Sequence, residues 1–102
     1  MKGSSVLTSK LESEIELLQR HVVMLKTIMD NEPIGIIRLS DFLSIPQHKV
    51  RYSLRILEQE GLIEPSPEGA ITTEKLRSFM EQLKVILDNM EKTVKDLRGQ
   101  LG

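Results

Sequence analysis

The stretch from Leu39 to Ile63, LSDFLSIPQHKVRYSLRILEQEGLI, decides how the chain is read, because two short helical patterns meet there at a tight break and end on a glycine. Leu39 and Leu43 are four residues apart, the spacing of one helix face, and Val50, Leu54 and Leu57 repeat at four and three. Ser44, Ile45 and Pro46 interrupt the first pattern. Proline is excluded from a helix interior but suits the first turn, and it holds the preceding residue extended, so a second helix starts at Pro46 or Gln47. Gly61 then supplies the left-handed residue that ends a helix, and Leu62-Ile63 opens an extended run.

With Val50, Leu54 and Leu57 turned inward, Gln47, His48, Lys49, Arg51, Tyr52 and Arg55 remain outside. None of them is acidic. In a chain of net charge −1, this is the segment where side chains able to contact base edges and phosphates share an exposed helical face. The plainer reading is a solvated helix face.

Leu39, Leu43, Ile45, Val50, Leu54, Leu57 and Gly61-Leu62-Ile63 together resemble a winged helix-turn-helix, and most of all that of MarR-, ArsR- and PadR-type regulators. Their recognition helix runs apolar, three residues, apolar, two residues, Leu-Glu, then Gly-Leu-apolar, and Val50 to Ile63 follows this without insertion. The likeness covers roughly half the chain. It departs from the pattern at Ser44, where glycine is usual, and at Pro46, where serine or threonine often caps the second helix. The resemblance implies a mainly α fold with a small β-hairpin, and a recognition helix that enters the major groove with Gln47, His48, Lys49, Arg51, Tyr52 and Arg55 as its DNA-binding residues.

The 102 residues suit one domain with a single core, and with one Tyr, two Phe and no Trp that core is aliphatic. The absence of Cys excludes disulfides, thiolate chemistry and cysteine metal sites. No apolar run has the length of a membrane span, so a cytoplasmic protein is expected. Fourteen basic and fifteen acidic residues argue against bulk attraction to nucleic acid. Their distribution differs: residues 34–61 are net +1, while the segments on either side are each −1.

Residues 1–7 read as a disordered start, residues 8–73 as the winged helix-turn-helix domain with a long first helix, and residues 74–102 as a dimerisation helix. The first helix is expected from about Thr8 to Asp30, capped by Thr8 or Ser9, with Glu12, Glu14 and Glu16 near its positive end. Leu11, Ile15, Leu18, Val22, Leu25 and Met29 keep heptad spacing along it, and Val23, Met24 and Ile28 widen the stripe where it should meet the helix pair. Asn31-Glu32-Pro33 ends the helix. Ile34-Gly35-Ile36 suits a vestigial edge strand, with the next helix beginning near Ile37.

Past Gly61, the runs around Ile63 and Ile71 with the turn Ser66-Pro67-Glu68-Gly69 read as a hairpin, the wing. It carries Glu64 and Glu68 and no Lys or Arg, so little DNA contact is expected of it. Thr73 should cap a last helix running to about Arg98, where Gly99 ends it. Leu76, Met80, Leu83, Leu87, Met90, Val94, Leu97 and Leu101 keep spacings of four and three throughout, with Phe79 and Ile86 beside them. A helix of about 25 residues is about 37 Å long, more than this core can cover. A second copy is the simplest cover, with Leu11, Ile15, Leu18, Leu83, Leu87, Met90, Val94 and Leu97 forming an intersubunit bundle.

These readings give a homodimeric, sequence-specific DNA-binding regulator on a pseudo-palindromic operator, its half-sites about one helical turn or a multiple of it apart. A winged helix used only for protein contact is the main rival, and a ligand-sensing regulator with an unidentified effector is a third possibility. His21 and His48 are lone histidines, and the three N-terminal glutamates point apart on their helix. No phosphate-binding glycine loop, nucleophile elbow or carboxylate pair is present, so neither an enzyme, a cofactor nor a metal is expected.

Overall fold

A computed structural model describes residues 5–102 as four helices and one antiparallel hairpin: α1 (Val6–Asn31), α2 (Ile36–Leu43), α3 (Gln47–Gln59), β1 (Ile63–Ser66), β2 (Gly69–Thr72) and α4 (Lys75–Leu101). Residues 1–4 of the expected disordered start lie outside the described residues. At its other end the expectation is corrected. Ser5, not Thr8 or Ser9, caps α1: its Oγ accepts from the Thr8 amide at 3.1 Å, and Val6 and Leu7 are already helical. The glutamates at 12, 14 and 16 therefore sit beyond the first turn of α1.

The face of α1 that enters the core is set by Met24, Leu25 and Ile28. Met24 and Ile28, which the sequence offers only as a widening of the heptad stripe, are fully buried, whereas Val23 beside them is exposed. The turn joining α2 to α3 depends on Ser44, which stands in the left-handed region at φ 54° and ψ 43° and places the Ile45 amide 3.2 Å from the Ser40 carbonyl oxygen. The Ser40 hydroxyl returns a bond to the Ile45 carbonyl at 2.6 Å. Pro46 occupies the cap position of α3, and its carbonyl accepts from Lys49 and Val50 at 3.0 and 3.1 Å.

At the other end of α3, Gly61 at φ 74° lets the chain reverse. The Gly61 amide bonds the Glu58 carbonyl at 2.9 Å and the Leu62 amide bonds that of Leu57 at 3.0 Å, the paired closure that satisfies carbonyls left over at a helix end. β1 and β2 pair with Ile63 opposite Thr72 and Pro65 opposite Ala70. Of the expected strand at residues 34–36 only Ile34 pairs, bridging Ala70 from the outer side of β2, and Ile36 already belongs to α2. Gly69 has a reason beyond the turn: at φ 136°, a Cβ there would fall 2.5 Å from the Ile34 carbonyl carbon.

Met24, Leu25, Ile28, Ile34, Leu39, Val50, Leu57, Leu62, Ile63, Ala70 and Leu76 form the core, so every element contributes. Thr73 ties the last helix to this core: its hydroxyl donates to the Gly61 carbonyl, and its Oγ accepts from the Lys75 amide at 3.3 Å. The first two turns of α4 pack on the core through Leu76, Phe79 and Met80. From Lys84 onward every residue of α4 is exposed, and the molecule measures 54 × 30 × 20 Å. Gly99 does not end α4. Nothing crowds it, and the helix continues through it to Leu101.

Candidate functional site

α3 presents the six expected residues at its surface. Val50, Ser53 and Leu57 are its buried residues, so the opposite side of a 3.6-residue period must face out, and Gln47, His48, Lys49, Arg51, Tyr52 and Arg55 are all exposed. Five of them line a shallow depression of about 510 Å3: His48, Lys49, Arg51, Tyr52 and Arg55. Gln47, in the first turn of α3, lies outside that lining.

The sixth lining residue is Arg20, from α1, which the sequence did not offer as a site residue. Arg20 stands one turn before Met24 on the same side of α1, where the core-facing pattern would call for an apolar side chain. Its Nε–H donates to the Oγ of Ser53 at 2.9 Å. Its guanidinium carbon lies 6.0 Å from the centre of the Tyr52 ring, at the outer reach of a cation–π contact. The signal for Arg20 was present but unpaired: one polar residue interrupts the inner face of α1 and another, Ser53, interrupts that of α3.

No carboxylate lines the depression. Four permanent cations and a histidine around one ring suit a polyanion presented at close range. Beside it, His21 has a pKa lowered by burial and, to a lesser degree, by the Arg20 charge, and its Nδ1 is buried without a hydrogen-bond partner. His21 is therefore held neutral within the packing of α1. Among the described residues no three His, Cys, Asp or Glu side chains gather in a metal-binding group.

The residues expected at an interface between copies fall into two exposed stripes. On α1, Leu11 and Ile15 are exposed and Leu18 is half-buried. On α4, Leu83 is half-buried, and Leu87, Met90, Val94 and Leu97 are exposed. Between the two helices, Val22 and Leu25 of α1 and Phe79, Leu83 and Leu87 of α4 line an apolar groove of about 180 Å3, with Lys26 and Lys84 also among its lining residues. Glu64 and Glu68 of the hairpin are exposed. None of the helices is long and apolar enough to cross a membrane among the described residues.

No protein-family model matches this sequence, and no curated protein matches it. Among solved structures, the chain is similar to the activation domain of the phage T4 transcription factor MotA, with a TM-score of 0.56 and 18% identity, over 72% of this chain and 78% of that one. At such identity the likeness concerns the fold alone, and it does not single out MarR-, ArsR- or PadR-type regulators. The chain thus shares, over most of its length, the mainly helical fold with a small antiparallel hairpin found in a domain of a transcription factor.

Proposed function

We propose that this protein is a winged helix-turn-helix transcriptional regulator that reads duplex DNA as a homodimer. α2, its turn and α3 form the helix-turn-helix, α3 is the recognition helix, and the β1–β2 hairpin is the wing. The observation that carries the reading is the acid-free depression formed by Arg20, His48, Lys49, Arg51, Tyr52 and Arg55 on a chain whose overall net charge is only −1. Arg51 and Arg55 reach base edges, Lys49 contacts phosphate, and Gln47 enters with the first turn of the helix. The exposed stripes of α1 and α4 meet their counterparts in a second copy and set the spacing of the two readers on a pseudo-palindromic site. Such a regulator acts in the cytoplasm and catalyses no reaction.

A protein-contact module is the second reading. It is favoured by the acidic, exposed hairpin and by the fold likeness to a domain named for activation. Titration of a random-sequence duplex at low and moderate salt separates the two. A DNA reader binds with a steep salt dependence, and Arg51→Ala or Arg55→Ala costs about 1–3 kcal/mol on a selected site, or lowers the salt slope by about one if the residue contacts phosphate. Absence of any salt-sensitive binding by the unaltered protein would transfer the assignment to protein contact.

A further inference from the structure

We infer that Arg20 of α1 is a preorganised phosphate clamp that fixes the seating of α3 on DNA, an inference that rests on the DNA-reading function proposed above. It begins with two polar residues at core-facing positions. Ser53 is fully buried between Val50 and Leu57 on the inner face of α3 and is the one buried polar or charged residue among the described residues. A hydroxyl removed from water destabilises the fold unless it is bonded. Arg20 supplies that bond through Nε at 2.9 Å, from the helix packed behind α3.

The consequence lies in what the bond does to the guanidinium. One edge is held by Ser53 and the plane is flanked by the Tyr52 ring, while the four N–H donors of the two terminal amino groups are not needed by either contact. The group borders the depression shared with His48, Lys49, Arg51 and Arg55, whose lining includes no carboxylate. A free surface arginine must surrender its rotamer freedom when it binds. Arg20 has surrendered much of it on folding, so less is lost at the encounter. Two parallel N–H groups match two oxygens of a phosphate.

Arg20 does not belong to the helix that enters the groove. It belongs to the helix behind it, so the oxygen it reaches is on the backbone at the groove's edge and not on a base. Its contact is therefore indifferent to sequence and sets the depth and tilt at which Arg51 and Arg55 arrive. Arg20 is a positioning residue as well as a phosphate ligand.

Fluorescence anisotropy on one labelled duplex across a series of salt concentrations tests this in the full chain. Four variants are compared with the unaltered protein: Arg20→Met, Arg20→Lys, Ser53→Ala and, as a control on the far part of α4, Lys95→Met. Arg20→Met should weaken binding about tenfold and reduce the salt slope by about 0.9. Arg20→Lys keeps the charge but not the Ser53 bond, and should keep the slope while losing about threefold to fivefold. Ser53→Ala should behave like Arg20→Lys, and Lys95→Met should leave both affinity and slope unchanged. If the unaltered protein binds with a steep salt dependence and a folded Arg20→Met or Arg20→Lys matches it in affinity and slope, the clamp is overturned and the DNA reading stands. If Lys95→Met lowers the slope as much as Arg20→Met, the effect is general charge and the clamp is overturned. If the unaltered protein shows no salt-sensitive binding, the clamp and the DNA reading fall together.

Discussion

The Nε–H of Arg20 on α1 donates to the Oγ of Ser53 on α3 at 2.9 Å, joining two polar residues that are 33 positions apart in the chain. Each stands where its own helix would otherwise bury an apolar side chain. Together they fasten the rear helix to the helix that carries the exposed cations, and they place a guanidinium against Tyr52.

The first expected outcome concerns that bond. Ser53→Ala leaves the Nε of a half-buried guanidinium without its protein acceptor and should lower stability by about 1–2 kcal/mol. Urea denaturation of Ser53→Ala, Arg20→Met and the double variant measures it. The double variant should lose clearly less than the sum of the two single losses, and strict additivity would mean that the two side chains do not interact.

Gly69 is the position least able to accept a side chain. A Cβ would lie 2.5 Å from the Ile34 carbonyl carbon and 2.7 Å from its oxygen, and these are backbone atoms held by the bridge to Ala70. Gly69→Ala should destabilise the fold by about 3 kcal/mol, combining a clash with a positive φ. A thermal midpoint equal to that of the unaltered protein would contradict the close approach.

Ser44 presents the opposite case. It occupies the left-handed region at φ 54° without the freedom of glycine. Ser44→Gly relieves that strain and should stabilise the protein by about 0.5–1 kcal/mol, net of the greater freedom of glycine in the unfolded chain. Chemical denaturation reads the sign directly, and a destabilised variant would show that the Ser44 side chain contributes more than its backbone costs.

Acid should weaken the fold partly through His21. Burial, and then the neighbouring Arg20 charge, lower its pKa below 6.5 in the folded chain. Below pH 6.5 the unfolded chain therefore binds this proton more readily than the folded one. The stabilising contribution of neutral His21 is complete above that pH and declines as pH falls toward the lower folded value. Comparing urea midpoints at about pH 7.5 and about pH 5 in the unaltered protein and in His21→Gln isolates the effect, and the variant should show the smaller loss on acidification. Equal losses would remove His21 from the account.

Met90 and Val94 lie on the far part of α4, where every residue is exposed, and are about half exposed. If a second copy covers them, Met90→Glu with Val94→Glu should convert a dimer into a folded monomer by light scattering, because charges replace a buried apolar seam. The core elements lie elsewhere, so the thermal transition of the monomer should persist. A monomeric unaltered protein at micromolar concentration would rule out this use of the stripe.

Local pattern carried much of the fold. The break at Ser44 to Pro46, the stop at Gly61 and the turn around Pro67 and Gly69 are all read from residues that restrict φ or free it, and such restrictions act within a few residues. Boundaries were less legible. Ser5 captured the start of α1 because a serine reaching the third amide of a helix can cap it wherever the chain allows, and Gly99 failed to end α4 because one glycine costs a helix only about 1 kcal/mol.

The order of helices and hairpin, and the side of α3 that is exposed, were legible from local pattern, because a helix sets the direction of each side chain from its period alone. Tertiary structure decided the rest. It placed Met24 and Ile28 in the core in preference to Val23, brought Ile34 against Ala70 so that only glycine fits at 69, and carried Arg20 to Ser53 and Tyr52. Those outcomes depend on the angle and register at which α1 crosses α3 and meets the hairpin. That geometry is a property of packed surfaces far apart in the chain, and no local spacing encodes it.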